Sequence, residues 1–194
     1  MMTFYSIAKT VVKTILTPMY RIEVHGREYF PKDGGVLLCA NHIDNLDPPV
    51  VGITAPRPVS FMAKEELFKV PILGKVISNL HAFPVKRGMS DREALRKGLN
   101  FLKEGKVMGL FPEGTRSKTG EVGKGLAGAG FFALRADAHV VPCAIVGPYK
   151  PFHKLKVVYG PPIDMSELRE RKASADEVTE IIMNHIRQLH DRHK

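Results

Sequence analysis

Five polar or charged side chains crowd into residues 41–47: Asn41, His42, Asp44, Asn45 and Asp47. They follow the apolar run Gly35-Val36-Leu37-Leu38-Cys39-Ala40 and precede two prolines, Pro48 and Pro49. The chemistry open to His42 and Asp47 is general base catalysis. A carboxylate bonded to one imidazole nitrogen fixes the tautomer and leaves the other nitrogen as a base for an alcohol or a water. On one ideal helix, residues five apart point about 140° apart and cannot meet. The pair therefore needs a loop between its members, and Asp47-Pro48 favours one, because the residue before proline avoids the α region. The competing reading makes Asp47 a helix N-cap with Pro48 at the first helical position, and His42 a satisfied strand-end side chain.

A second cluster follows the apolar run from Val107: Phe111-Pro112-Glu113-Gly114-Thr115-Arg116-Ser117. It delivers a carboxylate, a glycine, a hydroxyl and a guanidinium at one point. Arginine binds phosphate through two parallel hydrogen bonds, and Gly114 lets the backbone approach a ligand closely. The plainer reading is a turn in which Glu113 and Arg116 pair with each other. Lys64, and Lys86-Arg87 ahead of Gly88, are cations placed just after strand-like segments. Each alone reads as a solvated surface charge; together with Arg116 they can form one basin for an anion.

The elements that must carry these clusters alternate. Strand-like segments lie at 21–26, 35–40, 59–63, 82–85, 107–111, 140–145 and 155–159. Helical patterns fall between them: a short helix from Asp47, a stripe over Ile72–Leu80, and Leu95, Leu99 and Leu102 behind the capping box Ser90-Asp91-Arg92-Glu93. A segment at about 125–136 follows, and a last stripe from Val178 to Leu189 lies behind the capping box Ser174-Ala175-Asp176-Glu177. The pattern predicts an α/β fold in a single domain over 1–194, with a mostly parallel or mixed sheet covered by helices on both faces. A catalytic core is expected over 20–163 and a C-terminal helix over 166–190. In such sheets sites gather at the carboxyl ends of strands, where three of the polar clusters fall. At the N-terminus, Phe4, Ile7, Ala8, Val11, Val12, Ile15, Leu16 and Met19 share one side of an amphipathic helix over 1–18, with Lys9, Thr10, Lys13 and Thr14 on the other. That helix either packs on the core or lies in a membrane interface with its lysines towards anionic headgroups.

The chain has 194 residues, 44% of them hydrophobic and 25% charged, which suits one globular domain with a real core. Its net charge of +9 suits an anionic partner: nucleic acid, an anionic membrane or a phosphorylated substrate. No RNA-recognition signature or aromatic-rich basic patch accompanies the charge, so nucleic acid is not expected. Cys39 and Cys143 sit in apolar runs and read as buried free thiols, and no Cys/His spacing resembles a metal site. No stretch of about 18 uncharged apolar residues exists, so no spanning helix is expected. Lys9 and Lys13 interrupt the N-terminal apolar positions, which does not read as a signal peptide.

Four blocks in order carry a resemblance. They are Asn41-His42-x4-Asp47, Phe83-Pro84-Val85-Lys86-Arg87-Gly88, Phe111-Pro112-Glu113-Gly114-Thr115-Arg116-Ser117 and Val140-Val141-Pro142. The chain resembles the 1-acylglycerol-3-phosphate acyltransferase family over about residues 20 to 163. The resemblance implies His42 as general base and Asp47 as its orienting partner. It implies acceptor binding by Arg87, Glu113, Gly114, Thr115 and Arg116, with Arg116 on the acceptor phosphate and Lys64 as a second phosphate ligand. Pro142 would shape the wall near the acyl donor or acyl chain. Members often carry Ser where this chain has Asp44, which adds a negative charge near the base.

The activity so implied is transfer of an acyl group from a thioester, on coenzyme A or acyl carrier protein, to the 2-hydroxyl of lysophosphatidate. The thioester is a co-substrate; no further cofactor and no metal are implied. Because the acceptor and the product live in a bilayer, the resemblance favours a peripheral, monotopic protein on the cytoplasmic face of an anionic membrane. Three other readings stand beside this one. The acceptor can be another lysophospholipid or glycerol 3-phosphate. Cys39, three residues before His42, can form an acyl-enzyme for hydrolysis, although on a strand the two side chains face opposite ways. The chain can also be a basic lipid-binding module, which leaves the Asn41-His42-x4-Asp47 block unexplained.

Overall fold

The computed structural model describes residues 4–80, 82–85 and 92–194. Among them, seven strands form one sheet: β1 (Ile22–His25), β2 (Gly35–Ala40), β3 (Val59–Lys64), β4 (Phe83–Val85), β5 (Val107–Leu110), β6 (Ala138–Val146) and β7 (Leu155–Tyr159). Their spatial order is β1-β7-β6-β2-β5-β3-β4. The five strands from β6 to β4 are parallel, β7 runs against β6, and β1 is parallel to β7. The expected α/β fold with a mixed sheet is the observed one. The parallel strands all end at one edge, so residues 41–47, 111–117, Lys64 and the segment after Val146 share that edge.

β2 shows why an unbroken apolar run belongs in the middle. All six of its residues are buried, because helices cover both faces and neither can be polar. Val36, Leu38 and Ala40 face one way, into a cluster with Val50 and Val51 of α2 (Asp47–Thr54), on which Leu16 of α1 (Phe4–Met19) also packs. Leu37 and Cys39 face the other way, into a cluster with α5 (Arg92–Lys103), α6 (Gly128–Arg135) and α8 (Ala175–His193). The short helices α3 (Glu65–Phe68) and α4 (Leu73–Asn79) connect β3 to β4.

Three local expectations change in the structure, and a fourth falls partly outside the described residues. The helix expected over 166–190 is two helices, α7 (Ser166–Glu170) and α8, separated at Lys172 (φ 54°) and by the cap at Ser174. The Ser174 hydroxyl accepts from the Glu177 N–H, but the Glu177 carboxylate pairs with Arg171 instead of closing the box. The box at 90–93 begins outside the described residues. α1 runs to Met19 with Pro18 in its last turn, and its lysines divide: Lys9 turns inward to the Ala55 carbonyl at 2.7 Å, while Lys13 is exposed. The apolar side of α1 is accordingly wider than α2 can cover. Leu16 meets the core, whereas Phe4, Ile7, Val11 and Ile15 are each about half exposed along one stripe.

Candidate active site

Asn41 ends β2 by imitating the backbone. Its Nδ2 donates to the Ile145 carbonyl (3.0 Å), and the Ile145 N–H donates to its Oδ1 (2.7 Å). A side-chain amide carries a donor and an acceptor spaced much like those of a peptide, so Asn41 adds one rung between β2 and β6 while the main chain turns away. The residue is fully buried. Sequence reasoning gave it no role of its own.

The next residue, His42, is held at three points. Its N–H donates to Glu113 Oε1 at 2.9 Å, and its carbonyl accepts from the Ser117 N–H at 2.7 Å. Its Nδ1 lies 2.7 Å from Asp47 Oδ2. The ring stacks on Phe111 with centroids 4.2 Å apart and planes 19° apart, and Phe61 stacks beyond it at 5.5 Å. Gly109 makes room for that second ring, since a Cβ there would lie 2.3 Å from a Phe61 ring atom. The His42 side chain is 13% exposed, and Nε2 has no partner among the described residues.

Residues 43–46 form the expected non-helical turn, but Asp47 does not cap the helix. Helix α2 begins at Asp47 itself, with Leu46 in the cap position and no side-chain cap bond. Pro48 and Pro49 have no N–H to be capped, which leaves the Asp47 carboxylate to reach backwards. Its Oδ2 accepts from the N–H groups of Ile43 (2.6 Å) and Asp44 (2.8 Å) as well as from His42. Its Oδ1 accepts from the hydroxyl of Tyr149 at 2.7 Å. The carboxylate is completely buried, and these four donors replace the water it has lost. The Asp44 carboxylate serves the same turn, accepting from the Leu46 N–H at 3.0 Å.

Glu113 is nearly buried, and both its oxygens are taken by backbone: Oε1 by His42 and Oε2 by the Gly123 N–H at 3.1 Å. Burial pushes its pKa up, and the two N–H donors counter only part of that shift. Glu113 therefore does not pair with Arg116. Beyond it, Gly114 adopts φ +66°, and a Cβ there would lie 2.6 Å from a Leu126 methyl. Thr115 and Arg116 are exposed at the tip of this loop, and Arg116 has no ion pair among the described residues. Lys64 lies at the carboxyl end of β3, half exposed, with Glu66 at 3.2 Å. Arg87, with Lys86 and Gly88, lies outside the described residues.

Two residues point away from His42. Pro142 is buried within β6, in register with Cys39, and faces Gly160 and Leu189 on the α8 side of the sheet. Its carbonyl accepts from the Gly160 N–H, so its missing N–H also falls towards β7, just where that ladder ends. The structure does not bring it to the histidine. Cys39 lies in the α5–α6–α8 cluster, fully buried, with its thiol pKa pushed up to about 12 by burial. A thiol kept protonated on the far face of the sheet is no nucleophile for the His42 side, which removes the acyl-enzyme reading. Among the described residues, no group of His, Cys, Asp and Glu is arranged to hold a metal ion.

Comparison with known proteins agrees with this architecture. Residues 21–146 match the family model described as Acyltransferase. The chain is 29% identical over 199 residues to the 1-acyl-sn-glycerol-3-phosphate acyltransferase of Bacillus subtilis, covering 97% of this chain and 98% of that protein. It is 32% identical over 147 residues to a chloroplastic 1-acyl-sn-glycerol-3-phosphate acyltransferase of Arabidopsis thaliana, covering 74% of this chain but only 41% of that one. The crystal structure of the 1-acyl-sn-glycerophosphate acyltransferase PlsC from Thermotoga maritima superposes with a TM-score of 0.79 at 26% identity, over 95% of this chain and 77% of that chain.

Proposed function

The chain belongs to the acyltransferase family, and from that premise we propose that it is a 1-acyl-sn-glycerol-3-phosphate acyltransferase using an acyl thioester. The observation that carries the reading is the 2.7 Å contact of His42 Nδ1 with a buried, fully hydrogen-bonded Asp47, which leaves Nε2 as the available base. Nε2 takes the proton of the acceptor's 2-hydroxyl as that oxygen attacks the thioester carbonyl. Asp47 stabilises the imidazolium that forms. The tetrahedral intermediate collapses, the C–S bond breaks, and the thiolate of coenzyme A or acyl carrier protein takes the proton back from His42. The acceptor hydroxyl is itself the nucleophile, so no acyl-enzyme is needed. General base catalysis of this kind contributes about 100- to 10,000-fold; clamping His42 at its N–H, carbonyl and Nδ1 serves the positioning share.

Arg116, exposed and without an ion pair among the described residues, suits the acceptor phosphate, with Thr115 beside it and Lys64 at the end of β3; Arg87, implied by the family resemblance, would be a further donor. The bonds of Glu113 support a role in holding His42, and Gly114 shapes the turn between the two. The bare apolar stripe of α1, with Lys13 exposed nearby, supports peripheral seating on the cytoplasmic face of an anionic membrane. No helix among the described residues is long and apolar enough to span one. The test is a panel of acceptors. Purified protein given a labelled acyl thioester should acylate lysophosphatidate in preference to other lysophospholipids and to glycerol 3-phosphate. A preference for either of the latter would move the assignment to that acceptor.

A further inference from the structure

The proposed reaction uses His42 and Asp47, but the carboxylate has a second oxygen. Three of its four donors come from residues 42–44 and converge on Oδ2. Oδ1 has a single partner among the described residues, the hydroxyl of Tyr149, which lies more than a hundred residues further along the chain. Tyr149 stands on the connection between β6 and β7, and that connection is fastened to the end of α1. The Phe152 N–H donates to the Met19 carbonyl (2.6 Å) and the Leu155 N–H to the Tyr20 carbonyl (3.0 Å). The buried Tyr20 ring meets Tyr149 edge-on, with centroids 5.4 Å apart and planes 78° apart. The phenol is thus fixed by packing before it makes its one hydrogen bond. Burial and the neighbouring Asp47 charge push its pKa far up, so it remains a donor throughout the working range.

We propose that Tyr149 is a positioning residue for acyl transfer, holding Asp47 Oδ1 so that Oδ2 stays aimed at His42. The proposal rests on the reading of His42 as the base. Its physical content is twofold. The bond fixes the carboxylate's rotation about its Cβ–Cγ axis, which three donors on one oxygen leave partly free. It also draws negative charge towards Oδ1, away from the imidazole. Among the described residues the ionisable groups around His42 are Asp47, Glu113, Asp44 and Tyr149 itself, and Tyr149→Phe alters only the last.

Tyr149→Phe keeps the ring against Tyr20 and deletes one oxygen. The expected result is a kcat lower by about 10- to 100-fold with little change in KM. The acidic limb of the pH–rate profile moves to higher pH, because a carboxylate relieved of one donor holds an imidazolium more strongly. The Nδ1–H proton resonance of His42, read without substrate, moves with it. In an Asp47→Asn background the same change leaves the pH limb where it is, since the phenol acts through the carboxylate. An unmoved limb and an unmoved resonance in Tyr149→Phe would overturn the proposal, whatever happens to stability. If the resonance moves but the wild type transfers no acyl group, the positioning claim stands and the functional reading falls.

Discussion

Replacing Asp47 by asparagine separates the charge of this residue from its geometry. The amide oxygen can take the place of Oδ2 and accept from His42, Ile43 and Asp44, while the NH2 group donates to the Tyr149 oxygen, which can accept as well as donate. The Ile43 and Asp44 N–H groups keep an acceptor while the Tyr149 O–H loses its own, so the turn should survive with a loss of about 1–3 kcal/mol. Catalysis loses the negative charge opposite the imidazolium. With the nearest atoms 2.7 Å apart and charge centres at about 4 Å, that interaction is worth about 4 kcal/mol at an effective dielectric near 20. Four kcal/mol corresponds to about a thousandfold in kcat. The assay is kcat with a labelled acyl thioester at saturating lysophosphatidate, beside urea unfolding of both proteins. Asp47→Ala supplies the contrast, because it strands the Ile43, Asp44 and Tyr149 donors and should lose stability as well as rate. An Asp47→Asn protein that folds normally and keeps more than about a tenth of its kcat would refute the electrostatic role.

Four further outcomes follow from the structure. Glu113→Gln should lower kcat while leaving KM for the acceptor unchanged, since both carboxylate oxygens face backbone N–H groups; a raised KM with kcat intact would make Glu113 an acceptor ligand instead. The same variant should flatten stability against pH in the mildly acidic range. Burial raises the folded-state pKa of Glu113, so its contribution is full below the ordinary value of 4.5 and is lost as pH rises through the raised value. Arg116→Ala should cost about 10- to 100-fold in kcat/KM for a phosphate-bearing acceptor and nothing in thermal stability, because Arg116 is exposed and has no ion pair among the described residues. Val11→Asp, on the bare stripe of α1, should weaken sedimentation with anionic liposomes by about tenfold or more at unchanged stability; undiminished binding would remove α1 from the membrane contact.

What could be read in the sequence was what is local. The unbroken apolar run of β2, the polar cluster after it and the need for a loop between His42 and Asp47 all follow from neighbours along the chain, and the structure has each. The alternation of strands and helices likewise gave the mixed sheet with helices on both faces. What could not be read depends on partners far away. Asn41 needs Ile145 and Asp47 needs Tyr149, and neither separation leaves any periodicity to detect. The family resemblance implied Glu113 as an acceptor ligand, and its place in the turn offered Arg116 as an ion-pair partner. Its oxygens turn instead to His42 and Gly123, a choice set by how the 111–126 segment folds over β2. The direction of Pro142 was available in principle from its place in the strand. Side chains alternate, and a residue in register with Cys39 shares its face, but that register is itself a product of the fold. Asp47 as a helix cap was a reasonable expectation from Asp-Pro; the second proline removed one N–H that a cap would bond, and the next, that of Val50, goes to the Leu46 carbonyl.

The central claim is that His42 Nε2 removes the proton from the attacking hydroxyl. The most direct measurement is single-turnover formation of phosphatidate from labelled acyl thioester and lysophosphatidate by wild type and His42→Ala, with folding of both checked by circular dichroism. The expected loss is about 100- to 10,000-fold in the chemical step, with binding of both substrates retained. A folded His42→Ala protein that forms phosphatidate at the wild-type rate would contradict the account.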